Sequence, residues 1–211
     1  MKAALFDFDG TLVDSMPTWG KKVLRILTIS GITPPEGILR VLTPLGDIGS
    51  MRYFKEHLGV TMTDEQMLKE MDAYAIPRYR DEIPLKEGVK EYLEALKGAG
   101  VRLFLLTASP ARCFVPCLER LGVLSLFEKA WSCEDFGTVK SNPDIYRMAA
   151  ERMGLPIEEI TFFDDNIVAL QTAKTAGART VGVFDESSAG DEAAIRSLTD
   201  EYVYVLNEAS L

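Results

Sequence analysis

Apolar positions follow two different rhythms along this chain, and the change of rhythm divides it. Ala3, Ala4, Leu5 and Phe6 form a continuous apolar run, the pattern of a buried strand, which ends in Asp7 and Asp9. Residues 16–83 then carry helical spacing, in runs such as WGKKVLRILTISG and DEQMLKEMDAYAI, punctuated by Pro34, Pro35, Pro44 and Pro77. From Pro84 onward, short apolar runs alternate with amphipathic ones. PLKEGVKEYLEALKGAG predicts a helix stopped by Gly98 and Gly100, and VRLFLLT a buried strand. PARCFVPCLERLG predicts a helix disturbed at Pro116, and KAWSC a short strand. NPDIYRMAAERMG follows as a helix with Pro143 at its first position, then EITFFDD as a strand. NIVALQTAKTAG is a helix ending in Gly177, RTVGVF a strand, and EYVYVL a candidate last strand. Strands apolar on both faces, alternating with helices, predict an α/β core built on a parallel sheet. An α-helical domain, residues 16–83, is inserted into a core of residues 1–15 and 84–211.

Composition narrows the possibilities. A chain of 211 residues has room for one good core and a small second module. A hydrophobic content of 47% with 26% charged residues is ordinary for a water-soluble globular protein. No apolar stretch approaches the roughly 18 residues of a membrane span, and Met1 leads straight into the first strand. The expectation is a cytoplasmic protein with no signal peptide and no membrane partner. Cys113, Cys117 and Cys133 lack zinc-type spacing and are read as buried, reduced thiols. The net charge of −9 argues against nucleic acid as a partner. It leaves a small phosphate ester open, because a bound metal ion reverses the sign of a pocket locally.

Candidate chemistry gathers at the strand ends, where open parallel sheets bind their ligands. Asp7 and Asp9 lie on the same side of an extended chain, and like charges that close drive one carboxyl to hold a proton unless a cation intervenes. Thr107, Ala108 and Ser109 follow VRLFLLT; Asp164 and Asp165 close EITFFDD; Lys140 precedes the helix after KAWSC. Four carboxylates on one sheet edge require a cation, and oxygen-only ligands suit Mg²⁺. Taken singly, each has a plainer reading: a DxD as a turn, Lys140 as a surface charge, Asp165 as a helix cap. Asp14 and Ser15 read as a cap or hinge for the first inserted helix, and His57 as a surface or packing residue.

DFDGTLVDS, Thr107 closing an apolar strand, Lys140 and the acidic pair of FFDDN together resemble, in order, the four motifs of the haloacid dehalogenase (HAD) superfamily. The helical insertion is similar in placement to the type-1 cap of its subfamily I phosphatases. The motifs cover residues 1–15 and about 84–190. The resemblance implies a Rossmann-like core with Asp7 as the nucleophile of an aspartyl-phosphate mechanism and Asp9 as general acid and base. It implies Mg²⁺ held by Asp7, the Asp9 backbone carbonyl and Asp164, with Asp165 as a direct or outer partner. Thr107 and Lys140 would bind phosphoryl oxygens, helped by backbone N–H groups near Asp9–Gly10 and Ala108–Ser109. The superfamily's dehalogenases and phosphonate-cleaving enzymes lack the second aspartate, so Asp9 favours a phosphatase or a phosphomutase. The expected substrate is a small phosphorylated metabolite, a sugar phosphate or phosphoglycolate, and the expected assembly a monomer or homodimer. A phosphomutase of the β-phosphoglucomutase type and a non-catalytic metabolite-binding protein are the alternatives. Substrate choice is implied to rest with the cap, where Arg40, Arg52, Lys55, Arg78, Arg80 and the loop 43–47 are candidates. The chain departs from the family pattern at Phe163, Ser141 and Ala169.

Overall fold

The computed structural model describes residues 1–210; Leu211, the last residue of the expected core segment, lies outside them. The chain forms two compact units, Met1–Asp14 with the segment from Pro84 onward, and Ser15–Ile83. After β1 (Ala3–Phe6) come the helices of the second unit, α1 (Met16–Ile29), α2 (Ile38–Leu42), α3 (Gly46–His57) and α4 (Asp64–Asp81). The first unit resumes with α5 (Val89–Gly98), β2 (Arg102–Thr107), α6 (Ala111–Arg120), β3 (Lys129–Ser132) and α7 (Asp144–Met153). It ends with β4 (Ile160–Asp164), α8 (Ile167–Ala176), β5 (Arg179–Val183), α9 (Glu192–Leu198) and β6 (Glu201–Val203).

The strands pair in parallel in the order β3-β2-β1-β4-β5-β6, a Rossmann-like α/β sheet. All four residues of β1 are buried, which suits a strand flanked by neighbours and covered on both faces. Side chains alternate across the sheet. Leu5, Phe104, Leu106 and Phe162 pack on one face with Tyr146 of α7, Leu170 of α8 and Ile195 of α9. On the opposite face Phe6 stacks on Phe163 with ring centroids 4.5 Å apart. Tyr92 of α5 and Phe127 meet Phe6 edge-on at 6.4 and 6.3 Å. Phe163 therefore has a structural reason: it is the strand neighbour of Phe6 and fills this aromatic layer. Cys113, Cys117 and Cys133 are buried and form no disulfide.

Two local readings change. Pro143 occupies the N-cap of α7, just before the first helical residue. Helix α9 has no counterpart in the sequence reading, because only Ile195 of its seven residues is buried and no amphipathic period shows. Ile195 fits there because Gly182 of β5 lacks a side chain, and a Cβ at that position would lie 2.5 Å from the Ile195 Cγ2.

The helical unit has its own core, built from Trp19, Val23, Ile26 and Leu27 of α1 with Met51, Phe54, Met67 and Met71. Thr63 and Gln66 form a reciprocal capping box at the start of α4. Pro77 lies inside α4 and does not end it, since Met71, Ala75 and Tyr79 on either side stay buried. Ser15 occupies the N-cap of α1 without a side-chain capping bond; its carbonyl accepts from the Thr18 and Trp19 amides. His57 packs against Tyr53, with ring centroids 4.6 Å apart. Several candidate cations are held within this unit: Lys55 by Asp64, Arg80 by Asp81, and Arg78 over the Tyr74 ring. No helix among the described residues is long and apolar enough to cross a membrane.

Phe163→Ala should lower unfolding free energy by about 3–5 kcal/mol, the usual cost of emptying an aromatic core site. Denaturant unfolding followed by far-UV circular dichroism measures this, and a loss below about 1 kcal/mol would contradict the packing account.

Candidate active site

The central strands deliver the polar residues to one edge. Pairing of Phe6 with Phe163 places the following residues, Asp7 and Asp164, side by side at the ends of β1 and β4. Thr107 closes β2 on the other flank of β1. Asp7, Asp164 and Asp165 are buried, and one carboxylate oxygen of each lies within 4.8 Å of the others. Lys140 reaches this group from the loop after β3. Its ammonium donates to Asp7 Oδ1 and, at 2.8 Å, to Asp164 Oδ2. The second Asp164 oxygen accepts from the Asn166 amide at 2.7 Å.

Asp165 accepts from the Thr11 hydroxyl at 3.1 Å and does not cap α8. Asn166 takes that role, accepting from the amides of Val168 and Ala169. Gly10 is needed for this approach. Its φ of +78° lies in the left-handed region, and a Cβ there would come 2.8 Å from Asp165 Oδ2. The Asp9 carboxylate accepts from the Ser109 hydroxyl at 2.5 Å, so the first and second motifs are joined directly. The Ser109 amide donates to Thr107 Oγ1 at 2.9 Å, and the Gly10 amide to the Val13 carbonyl at 3.0 Å. Two of the backbone donors expected to meet a ligand are thus engaged within the chain. Ala108 lies between Thr107 and Ser109 in the same turn.

Sequence reading did not single out Thr11 or Tyr146. The Tyr146 hydroxyl sits 3.1 Å from the Lys140 carbonyl and 3.0 Å from that of Ala169, anchoring the loop that aims Lys140. Only the buried position of Tyr146 in its helix hinted at a structural part.

A family model described as haloacid dehalogenase-like hydrolase matches residues 1–177. The chain belongs to this family. Phosphoglycolate phosphatase of Escherichia coli is 27% identical, with 87% of this chain and 81% of that protein covered. The phosphorylated carbohydrates phosphatase of Thermotoga maritima is 25% identical, with 86% and 84% covered. The solved structure of CbbY from Rhodobacter sphaeroides in complex with phosphate superposes with a TM-score of 0.85 at 23% identity, covering 99% and 96%, and so shares the fold.

In this HAD-like hydrolase the site crowds three buried carboxylates around one ammonium. Burial foremost, with Asp164 and Asp9 adding repulsion, raises the Asp7 pKa to about 8 against the pull of Lys140. Burial, then Asp164, Asp7 and Asp185, hold Asp165 well above the usual carboxylate range. Burial disfavours charge on Lys140, yet Asp164 and Asp7 outweigh it and raise that pKa well above its ordinary value. With one ammonium shared by two of three clustered carboxylates, the group cannot be fully ionised at neutral pH without further positive charge. The three carboxylates form an oxygen donor set of the kind that suits a hard divalent ion such as Mg²⁺.

The sign of the pH effect follows by linkage. An acid whose folded pKa exceeds its unfolded value holds more protons when folded, so stability falls as pH rises between the two values. For Asp7 that window runs from about 4 to about 8. The melting temperature of protein held in chelator should therefore decline across this window, and Asp7→Asn should flatten the decline. An equally steep fall in the variant would contradict the assignment.

Proposed function

We propose that the chain is a phosphatase that hydrolyses a small phosphorylated metabolite, of the sugar-phosphate or phosphoglycolate class, through a phosphoryl group carried on Asp7. The observation that carries this reading is the Lys140 ammonium bridging Asp7 and Asp164 at adjacent strand ends, with the Asp9 carboxyl held by Ser109 two residues on. The activities named for the phosphoglycolate and phosphorylated-carbohydrate phosphatases support the substrate class.

Asp7, Asp164, Asp165 and the Asp9 backbone carbonyl would hold Mg²⁺. When bound, the ion supplies positive charge against the clustered carboxylates and the phosphoryl oxygens. Asp7 attacks phosphorus, the ester P–O bond breaks, and Asp9 gives its proton to the leaving oxygen. Water then attacks phosphorus, Asp9 takes one of its protons, and the Asp7–phosphorus bond breaks to release inorganic phosphate. Ser109 orients Asp9 for both transfers. Lys140 and Thr107 hold the phosphoryl oxygens, beside the turn formed by Gly10, Ala108 and Ser109, and stabilise the charge that spreads over them. Phosphate-ester hydrolysis demands up to roughly 29 kcal/mol of barrier lowering in the slowest cases, so a nucleophile, a proton carrier and fixed charges must share it.

Release of inorganic phosphate from a panel of sugar phosphates and phosphoglycolate, with and without Mg²⁺, tests the reading. Wild type should turn over at least one member in a Mg²⁺-dependent manner, and Asp7→Asn should lose about 10³-fold or more, roughly 4 kcal/mol. Lys140→Met or Thr107→Ala should lose about 10²–10³-fold in kcat, as for other transition-state donors. Movement of phosphate between sugar hydroxyls without release would make the enzyme a phosphomutase. No turnover at all, or full activity in Asp7→Asn, would overturn the mechanism.

A further inference from the structure

A second charged cluster lies behind the Gly10 turn. The Lys86 ammonium donates to the Gly10 carbonyl at 2.6 Å, to Asp185 Oδ2 at 3.1 Å and to the Phe184 carbonyl. An ammonium has three N–H donors, and here each meets an acceptor. Both side chains of the ion pair are largely withdrawn from solvent, 18% exposed for Lys86 and 8% for Asp185. Backbone bonds set the approach. Lys86 N donates to the Leu12 carbonyl and Asp14 N to the Pro84 carbonyl, so residues 84–86 run beside residues 12–14. The other Asp185 oxygen accepts from the amide and hydroxyl of Ser187, which fixes the carboxylate in place.

The Gly10 carbonyl is the informative acceptor. Glycine adopts its positive φ here without a side chain to hold it, and nothing in the residue itself resists rotation of the flanking peptides. On one side of Gly10 is Asp9, bonded to Ser109; on the other is Thr11, bonded to Asp165. Rotation of the Gly10–Thr11 peptide would move both contacts together. We propose that Lys86 is a positioning residue: by clamping the Gly10 carbonyl it fixes the turn that presents Asp9 to Ser109 and Thr11 to Asp165. This inference rests on the proposed role of Asp9 as the proton carrier. A role confined to neutralising Asp185 is the competing explanation, and the two separate experimentally.

Lys86→Met leaves the Asp185 carboxylate buried without its partner and so mixes both effects. The double variant Lys86→Met/Asp185→Asn removes the charge pair together, so that no buried charge is left unpaired and the loss is that of the bonds to the Gly10 and Phe184 carbonyls. It should melt close to wild type, keep KM within about 3-fold and lose about 10²-fold in kcat, the scale of a small misplacement of reacting groups. Amide exchange at Gly10, whose N–H bonds to Val13, should quicken in the double variant while exchange in β4 stays unchanged. A double variant with wild-type kcat, or with unaltered Gly10 exchange, would overturn the clamp and leave Lys86 as a charge partner. If wild type hydrolyses no phosphate ester, the hydrolytic reading fails by itself, and the clamp is decided on Gly10 exchange alone.

Discussion

Crowding of carboxylates around one lysine is the constraint on which the rest of the site depends. Asp7, Asp164 and Asp165 are buried together, and Lys140 reaches only the first two. Repulsion among them is steep in a poorly solvated site, so the fold must supply protons, a cation or both. Much of the surrounding architecture works to keep the groups in place despite that repulsion. Tyr146 fixes the loop of Lys140, Asn166 fixes Asp164, and Thr11 fixes Asp165.

The sheet makes the crowding possible. Parallel strands all end on one edge, and the residues beyond them arrive there whatever their charge. Because β1 lies between β2 and β4, the aspartates that follow it stand between Thr107 at the end of β2 and the acidic pair at the end of β4. The stacked Phe6 and Phe163 rings sit immediately before Asp7 and Asp164 in their strands. Hydrophobic packing that stabilises the sheet thus holds the neighbouring charges close together.

Much of this was legible in the sequence, for physical reasons. Buried parallel strands need continuous apolar runs, and those runs stood out between amphipathic helices. Strand ends point in one direction, so the polar residues after them group at one sheet edge from the sequence alone. What stayed hidden depends on tertiary acceptors. Lys86 looks like an ordinary helix-flanking charge until the carbonyls of Gly10 and Phe184 are brought to it from distant loops. Asp165 could have capped the next helix, and only the geometry gives that task to Asn166. Helix α9 leaves no mark in the sequence, since a seven-residue helix that buries one isoleucine carries no period. The unusual Phe163 read as a departure, and the stacked ring accounts for it.

On the proposed reading, the clustered aspartates hold protons in metal-free protein and would give them up to a bound divalent cation. Counting protons released when Mg²⁺ is added to metal-free protein in weak buffer near pH 7 tests it most directly. The account predicts release of about one proton or more per bound ion, as expected when ligands must deprotonate, and a marked reduction in Asp7→Asn. Binding without proton release, or release undiminished in the variant, would contradict it.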